Sequence, residues 1–294
     1  MMLPTSKRWT CLRLTAPLHS LRLFDGITHQ LPLLETLYIK VLSARRSALS
    51  LESKSVVHAF CKAPHLRELS LVQRLKSEAS FFPRLFALPL ETISWLYLVS
   101  TTSDMISFLQ SDRAKHMITV VVTLIESERH GVPKQIEIPV IRQACLRNLS
   151  LIDSAVGVLS QLQLPALQRL LVLSTSQNPI LPTISEQTVP ILMELTIRCS
   201  CPVDGHALAN MLQWTPNLRE MILETVLKSD VLFIALGRSR GGVLELVPHL
   251  ETISLKGTTL EFSDADGVIE DMVEARCAIA PGDRRAALKE VRWY

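Results

Sequence analysis

Pro248-His249-Leu250-Glu251-Thr252-Ile253-Ser254-Leu255 decides the fold, because it is one of six copies of a single template. With Φ for a large apolar residue, the template is Pro-x-Φ-x-x-Φ-x-Φ. The other copies start at Pro32 (PLLETLYI), Pro64 (PHLRELSL), Pro165 (PALQRLLV), Pro190 (PILMELTI) and Pro216 (PNLREMIL). If roughly 40% of positions are large and apolar, three prescribed positions match by chance about 6% of the time. The 16 prolines of the chain would then supply about one match. A seventh match, Pro83 to Leu90, contains a second proline, Pro89, that would break a strand ladder, and it is set aside. A unit that cannot bury its own apolar face stacks on copies of itself, so the template predicts a solenoid.

The first apolar positions of successive units are Leu34, Leu66, Leu90, Leu146, Leu167, Leu192, Leu218, Leu250 and Leu288. The long gap after Leu90 holds Met117-Ile-Thr-Val120-Val-Val122 as a degenerate strand. Ala144 stands in the proline's region before Leu146. Upstream, Trp9-Thr-Cys-Leu12-Arg-Leu14 and Leu18-His-Ser-Leu21-Arg-Leu23 predict one or two further strands. Most spacings fall near the about 20–29 residues of a leucine-rich repeat. Between strands the apolar period changes from two to 3.6, with helix starts expected at Ser53, Ser103, Asp204, Ser229 and Ser263. Gly237-Arg-Ser-Arg-Gly241-Gly242 predicts a surface loop. The predicted fold class is therefore α/β: one leucine-rich-repeat solenoid over 1–294, about ten irregular units, with a parallel concave sheet and convex helices forming an arc.

Composition agrees with that. The mean hydropathy of +0.25 is high, which a long leucine-filled interior accommodates. The apolar stretch near Met117–Ile125 is interrupted by Thr119 and Thr123 and falls short of the about 20 residues a spanning helix needs, so no membrane is expected. No apolar run or small-residue cleavage site follows Lys7-Arg8, so no secretory signal is visible. Six scattered cysteines then read as reduced thiols, and the expected location is cytoplasmic or nuclear. The net charge of +3 is too small for a broad nucleic-acid footprint.

In such strands the alternate residues face the open concave side. The side chains expected there are Thr36, Tyr38 and Lys40; Glu68 and Ser70; Thr92 and Ser94; Asn148 and Ser150; Arg169, Leu171 and Leu173; Glu194, Thr196 and Arg198; Glu220, Ile222 and Glu224; Thr252, Ser254 and Lys256. Leu171, Leu173 and Ile222 are apolar where water is expected. Glu194, Glu220 and Glu224 lie on neighbouring strands beside Arg198 and Lys256. Two readings fit: an amphipathic docking patch for a protein target, or ordinary scattered surface. The candidate contact residues are Tyr38, Lys40, Arg169, Leu171, Leu173, Glu194, Arg198, Glu220, Ile222, Glu224 and Lys256.

Catalytic and metal chemistry is not expected. Cys199-Ser-Cys201 with His206 has metal-site residue types, but the spacing is tight and a fourth ligand is missing, so loop cysteines are the expectation. His58, in VVHAFC, reads as a partly buried helix residue. Glu126-Ser-Glu128-Arg-His130 reads as a solvated loop. No phosphate loop or nucleophile elbow is present, and no cofactor is expected.

The phrases LPLLETLYI, APHLRELSL, LPALQRLLV, TPNLREMIL and VPHLETISL, with the opening Lys7-Arg8-Trp9-Thr-Cys-Leu12-Arg-Leu14, resemble the leucine-rich region of fungal, basidiomycete-type F-box proteins. The resemblance covers essentially the whole chain. It implies substrate recognition for a cullin-type ubiquitin ligase, with the repeats holding the target and an F-box holding the ligase adaptor. No F-box is recognisable here. Leu31-Pro32-Leu33-Leu34-Glu35 is similar to its opening but is explained as a repeat strand, so an adaptor would engage through an absent or separate F-box. The alternative is a leucine-rich-repeat scaffold or regulator unrelated to ubiquitination. Leu288-Lys-Glu-Val291-Arg-Trp293 reads as a last strand with no polar cap after it, for which self-association is the expectation.

Overall fold

The computed structural model describes residues 3–27, 31–42, 57–73, 88–100, 102–110, 112–124, 141–175, 181, 184, 191–240, 243–278 and 288–293. They fall into two compact units, Met1–Leu146 and Arg147–Tyr294. The first contains β1 (Cys11–Pro17), α1 (Leu18–Leu21), β2 (Thr36–Leu42), β3 (Glu68–Gln73), β4 (Trp95–Ser100), α2 (Thr102–Gln110), β5 (Thr119–Leu124) and β6 (Ile141–Arg142). Strands β1 to β5 pair side by side in chain order, all parallel.

The second unit contains β7 (Asn148–Ile152), β8 (Leu162–Gln163), β9 (Arg169–Ser174), β10 (Glu194–Val203), α3 (Gly205–Leu212), β11 (Glu220–Leu227), α4 (Val231–Gly237), β12 (Ser239–Arg240), β13 (Val243–Leu244), β14 (Thr252–Ser254), β15 (Thr259–Leu260), α5 (Ala265–Cys277) and β16 (Glu290–Arg292). Its sheet runs β7-β9-β10-β11-β14-β16, again parallel, with β15 on the end of β11. Each unit is thus an α/β solenoid of the leucine-rich-repeat kind, one strand per repeat. Among the described residues no helix is long and apolar enough to cross a membrane.

The template's proline has a visible cause. The amide of the first Φ donates to the carbonyl three residues back: Leu34 to Leu31, Leu66 to Ala63, Leu167 to Leu164, Leu218 to Thr215 and Leu250 to Val247. Pro32, Pro64, Pro165, Pro216 and Pro248 therefore occupy the second position of a four-residue turn, where a fixed φ near −65° is already correct. A second contact recurs just before each strand. One carbonyl accepts two successive amides of the next repeat: Glu35 those of Arg67 and Glu68, Arg67 those of Ser94 and Trp95, Met193 those of Arg219 and Glu220, Arg219 those of Glu251 and Thr252. These ties fix the register from repeat to repeat.

The three Φ positions form the interior. From Leu34-Leu37-Ile39 and Leu66-Leu69-Leu71 to Leu218-Met221-Leu223 and Leu250-Ile253-Leu255, none is more than 2% exposed. At about 1.5–3 kcal/mol for each fully buried side chain, every repeat contributes several kcal/mol that it could not realise alone. In the second unit the helices cover the other side. Helix α3 buries Leu208, Met211 and Leu212, α4 buries Leu232, Phe233 and Leu236, and α5 buries Ile269, Met272 and Arg276. Helices α4 and α5 approach so closely that a Cβ on Gly237 would lie 3.2 Å from the Met272 Cα.

Several local expectations are revised. The segment Leu18–Leu23 is not a strand: Leu18–Leu21 is α1, and Arg22–Ile27 is a 3₁₀ segment. Leucines three apart fit a helical turn as well as the template, and the preceding Pro17 lacks the N–H that would extend a ladder. The helix expected from Ser53 is turns over 59–62; Ser53 itself lies outside the described residues. Ser103 falls inside α2. Asp204 caps α3 as expected, accepting the His206 amide at 3.0 Å. The caps of α4 and α5 are Asp230 and Asp264, one residue after Ser229 and Ser263, and neither makes a side-chain cap bond. The glycine-rich segment opens a short antiparallel hairpin, β12–β13; its Gly241 and Gly242 lie outside the described residues.

Candidate protein-binding faces

Alternation along each strand leaves one face of each sheet open. In β2 the burial alternates, with Leu37, Ile39 and Val41 buried and Thr36, Tyr38 and Lys40 half-buried. In β11, Met221, Leu223, Thr225 and Leu227 are buried, while Glu220, Ile222, Glu224 and Val226 are half-exposed. Register lines these side chains into rows across the sheet.

In the second unit the first row is Asn148, Arg169, Glu194, Glu220, Thr252 and Glu290. The next is Ser150, Leu171, Thr196, Ile222, Ser254 and Arg292, and the third is Ile152, Leu173, Arg198 and Glu224. Arg169 pairs with Glu194 at 2.7 Å, and Arg198 with Glu224 at 3.0 Å. Half-exposed Leu171 and Ile222 sit in the row between these two ion pairs with Thr196 between them, and half-exposed Leu173 and Ile152 continue the Arg198–Glu224 row. The arrangement is a mixed face, with apolar side chains beside two ion pairs and the carboxylate of Glu220 next to Glu194.

One expected contact position moves. Strand β14 ends at Ser254, so Lys256 lies in the turn in which the Thr258 amide donates to the Leu255 carbonyl at 2.9 Å. Gly257, at φ 77°, makes that turn. Ser254 stays on the row but is buried, beside Ile222 and Arg292. Glu220 remains on the face next to Glu194 and Thr252.

In the first unit the rows are Cys11-Thr36-Glu68-Trp95-Thr119, Arg13-Tyr38-Ser70-Tyr97-Val121 and Thr15-Lys40-Val72-Val99-Thr123. Here Thr92 and Ser94 prove not to face out from the strand. Leu90–Thr92 is a 3₁₀ turn, and the strand begins at Trp95. The buried trio is Ile93, Leu96 and Leu98, so Trp95 and Tyr97 occupy the open face. Their rings stack at 6.5 Å with 17° between planes. The phrase LETIS occurs at Leu90 and again at Leu250, and aligning the two places the template three residues too early. Ile93-x-x-Leu96-x-Leu98 also fits the template's three apolar positions, with Glu91 in the proline's place, and was the available signal.

The clusters of chemical interest are placed as follows. Cys199 and Cys201 are in β10, not in a loop, where the register shifts between Arg198 and Pro202. Cys199 is buried, and burial pushes its thiol up to about 11, so it stays protonated at neutral pH, the wrong form for a ligand or nucleophile. His206 is exposed at the start of α3. Among the described residues no group of three His, Cys, Asp or Glu side chains is placed to hold a metal ion. His58 is exposed rather than part of a buried helix face, and its amide donates to Asp25 Oδ1 at 2.7 Å. Glu126, Glu128 and His130 lie outside the described residues.

No family model matches the chain, and no curated protein matches it. Among solved structures, the crystal structure of a structural-genomics target protein from Bacteroides fragilis is similar over 92% of this chain and 68% of that one. The TM-score is 0.44 and the identity 14%.

Proposed function

We propose that the chain is a non-catalytic recognition module that holds a protein target on the open faces of its sheets. The observation that carries this is the second unit's patch: Leu171, Leu173 and Ile222 half-exposed on the open face alongside the Arg169–Glu194 and Arg198–Glu224 pairs. Apolar side chains exclude water on binding, and the flanking polar groups, two of them ion pairs, set orientation. Within this proposal the place of action is the cytoplasm or nucleus. The biological role is substrate recognition of the F-box/leucine-rich-repeat type for a cullin-based ubiquitin ligase. That part rests on the resemblance of the strand phrases, with the adaptor engaged through an F-box supplied elsewhere.

The test has two arms. The tagged chain and its Leu171→Asp/Ile222→Asp variant are used for co-precipitation from the source cells, with thermal melts showing that the variant is folded. The partner captured by the parent should be lost by the variant, and undiminished capture would remove the patch. Proximity labelling in the same cells should mark ligase adaptor subunits. A labelled set without them would leave a scaffold or regulator unconnected with ubiquitin.

A further inference from the structure

The open face of the first unit carries a different chemistry. Its central row is Arg13-Tyr38-Ser70-Tyr97-Val121. Ser70 is the smallest side chain in the row and stands between two tyrosines. With strands about 4.8 Å apart, Tyr38 and Tyr97 are about 10 Å apart in backbone register on either side of Ser70, so the short serine leaves a notch between two aromatic residues. Trp95 stacks on Tyr97 and extends one wall. Val72, half-buried on the same strand as Ser70, continues the floor. Tryptophan, tyrosine and arginine are the residue types on which binding energy concentrates.

Charge distinguishes this face from the other. Arg169 and Arg198 of the second unit are held by Glu194 and Glu224. Arg13 is exposed and Lys40 half-buried on adjacent strands flanking Tyr38, and among the described residues no carboxylate pairs with either. The neighbouring Glu68 accepts a hydrogen bond from Thr36 Oγ1 at 3.2 Å. Of the two cations, Arg13 lies about two strand spacings, roughly 10 Å, from Ser70, and Lys40 lies one strand over and two residues along. An extended chain covers that distance in about three residues.

We infer that this face binds an extended acidic segment: one large apolar side chain seats over Ser70 between Tyr38 and Tyr97, and carboxylates about three residues away pair with Arg13 and Lys40. The inference rests on the reading of the chain as a recognition module and adds the chemistry of a partner. The carboxylates give orientation along the sheet, and the notch supplies the anchor.

The experiment is selection from a random decapeptide display library on the purified full chain. Enriched peptides should share an aromatic or large aliphatic residue with Asp or Glu about three positions away, and binding should weaken as salt is raised. Arg13→Glu/Lys40→Glu, two surface changes, should lower affinity for those peptides at least about tenfold and shift new selections toward Lys and Arg. Trp95→Ala/Tyr97→Ala should lose about as much. Failure to enrich, a consensus without acidic residues, or charge reversal that leaves the preference intact would each overturn the inference. If these fail while Leu171→Asp/Ile222→Asp still loses the cellular partner, only this face is refuted. If neither set of changes affects any partner, the recognition reading falls too.

Discussion

Arg276 offers a sharp test of how the second unit is held together. It lies in the last turn of α5, 0% exposed, with its guanidinium spanning three backbone carbonyls. Nη1 donates to Leu236 at 2.8 Å and to Leu246 at 3.4 Å, and Nη2 donates to Val247 at 2.7 Å. It therefore ties the end of α4 to the turn that starts the next repeat. No carboxylate pairs with it among the described residues, and Nε has no partner. Burial lowers its pKa to about 10, which measures how unwelcome the charge is there. Below that pH the group is charged in both folded and unfolded chains, so the penalty is constant through neutral pH. Hydrogen bonds from a charged donor contribute about 1.5–3 kcal/mol each. The two short bonds count fully and the long one little, for about 3–6 kcal/mol in all. Desolvating the guanidinium, read from the depressed pKa, takes back about 3 kcal/mol. Val247 also accepts the Leu250 amide at 3.1 Å, so it is not wholly orphaned. Arg276→Met keeps most of the apolar stem but leaves the Leu236 carbonyl buried without this donor. We expect a loss of about 1–3 kcal/mol, with Arg276→Lys losing less because its ammonium keeps a charged donor for one site, though it cannot span both. Urea unfolding followed by circular dichroism, with amide exchange in α4 and α5 as a local readout, measures it. A methionine variant as stable as the parent would show that desolvation outweighs the bonds and refute the reasoning.

Other outcomes follow from single contacts. Gly237→Val would press a branched side chain toward the Met272 backbone, 3.2 Å from even a Cβ; a loss of about 1–3 kcal/mol in thermal or urea unfolding is expected. Pro216→Ala leaves the turn's hydrogen bond possible but loosens the unfolded chain, so a drop of about 0.4–1 kcal/mol should appear without change in m-value. Glu251 is held below its ordinary carboxylate range chiefly by the hydrogen bond from Lys289, at 2.7 Å. Its contribution is present above the unfolded carboxylate pKa and is lost as pH falls through the folded one, so Lys289→Met should flatten stability against pH in the acid range. The effect should be small, because the pair is open to solvent. Arg198→Ala should change stability by less than about 1 kcal/mol, since its pair with Glu224 is half-exposed.

The strands were largely legible because the template is a direct record of burial. A Φ residue is apolar since it faces a dry interior, and the proline is present since its fixed φ suits the turn before each strand. This holds even for the degenerate strand, where Val120 and Val122 lie opposite Leu96 and Leu98. Of the candidate faces, the second unit's rows could be read from strand alternation alone: Leu171, Thr196 and Ile222 do align. Trp95 and Tyr97 were hidden because the LETIS phrase satisfies the template in a register three residues early, and only the paired amides at Arg67 and Ser94 settle which register is used. Lys256 was misplaced because the alternation was carried past Ser254, although Gly257, which makes the turn at φ 77°, was a local mark of it.

Sequence by itself determined that apolar side chains recur at strand spacing after a proline turn, and hence that parallel strands must stack, since no single repeat can hide its leucines. Tertiary structure decided which charges on the open faces are spent and which are free, for Arg169 meets Glu194 only because register sets their strands side by side. It also decided that an arginine would be the largest fully buried side chain among the described residues. Three carbonyls from two segments, the end of α4 and the turn at Leu246-Val247, converge on Arg276, and such convergence depends on how successive helices pack.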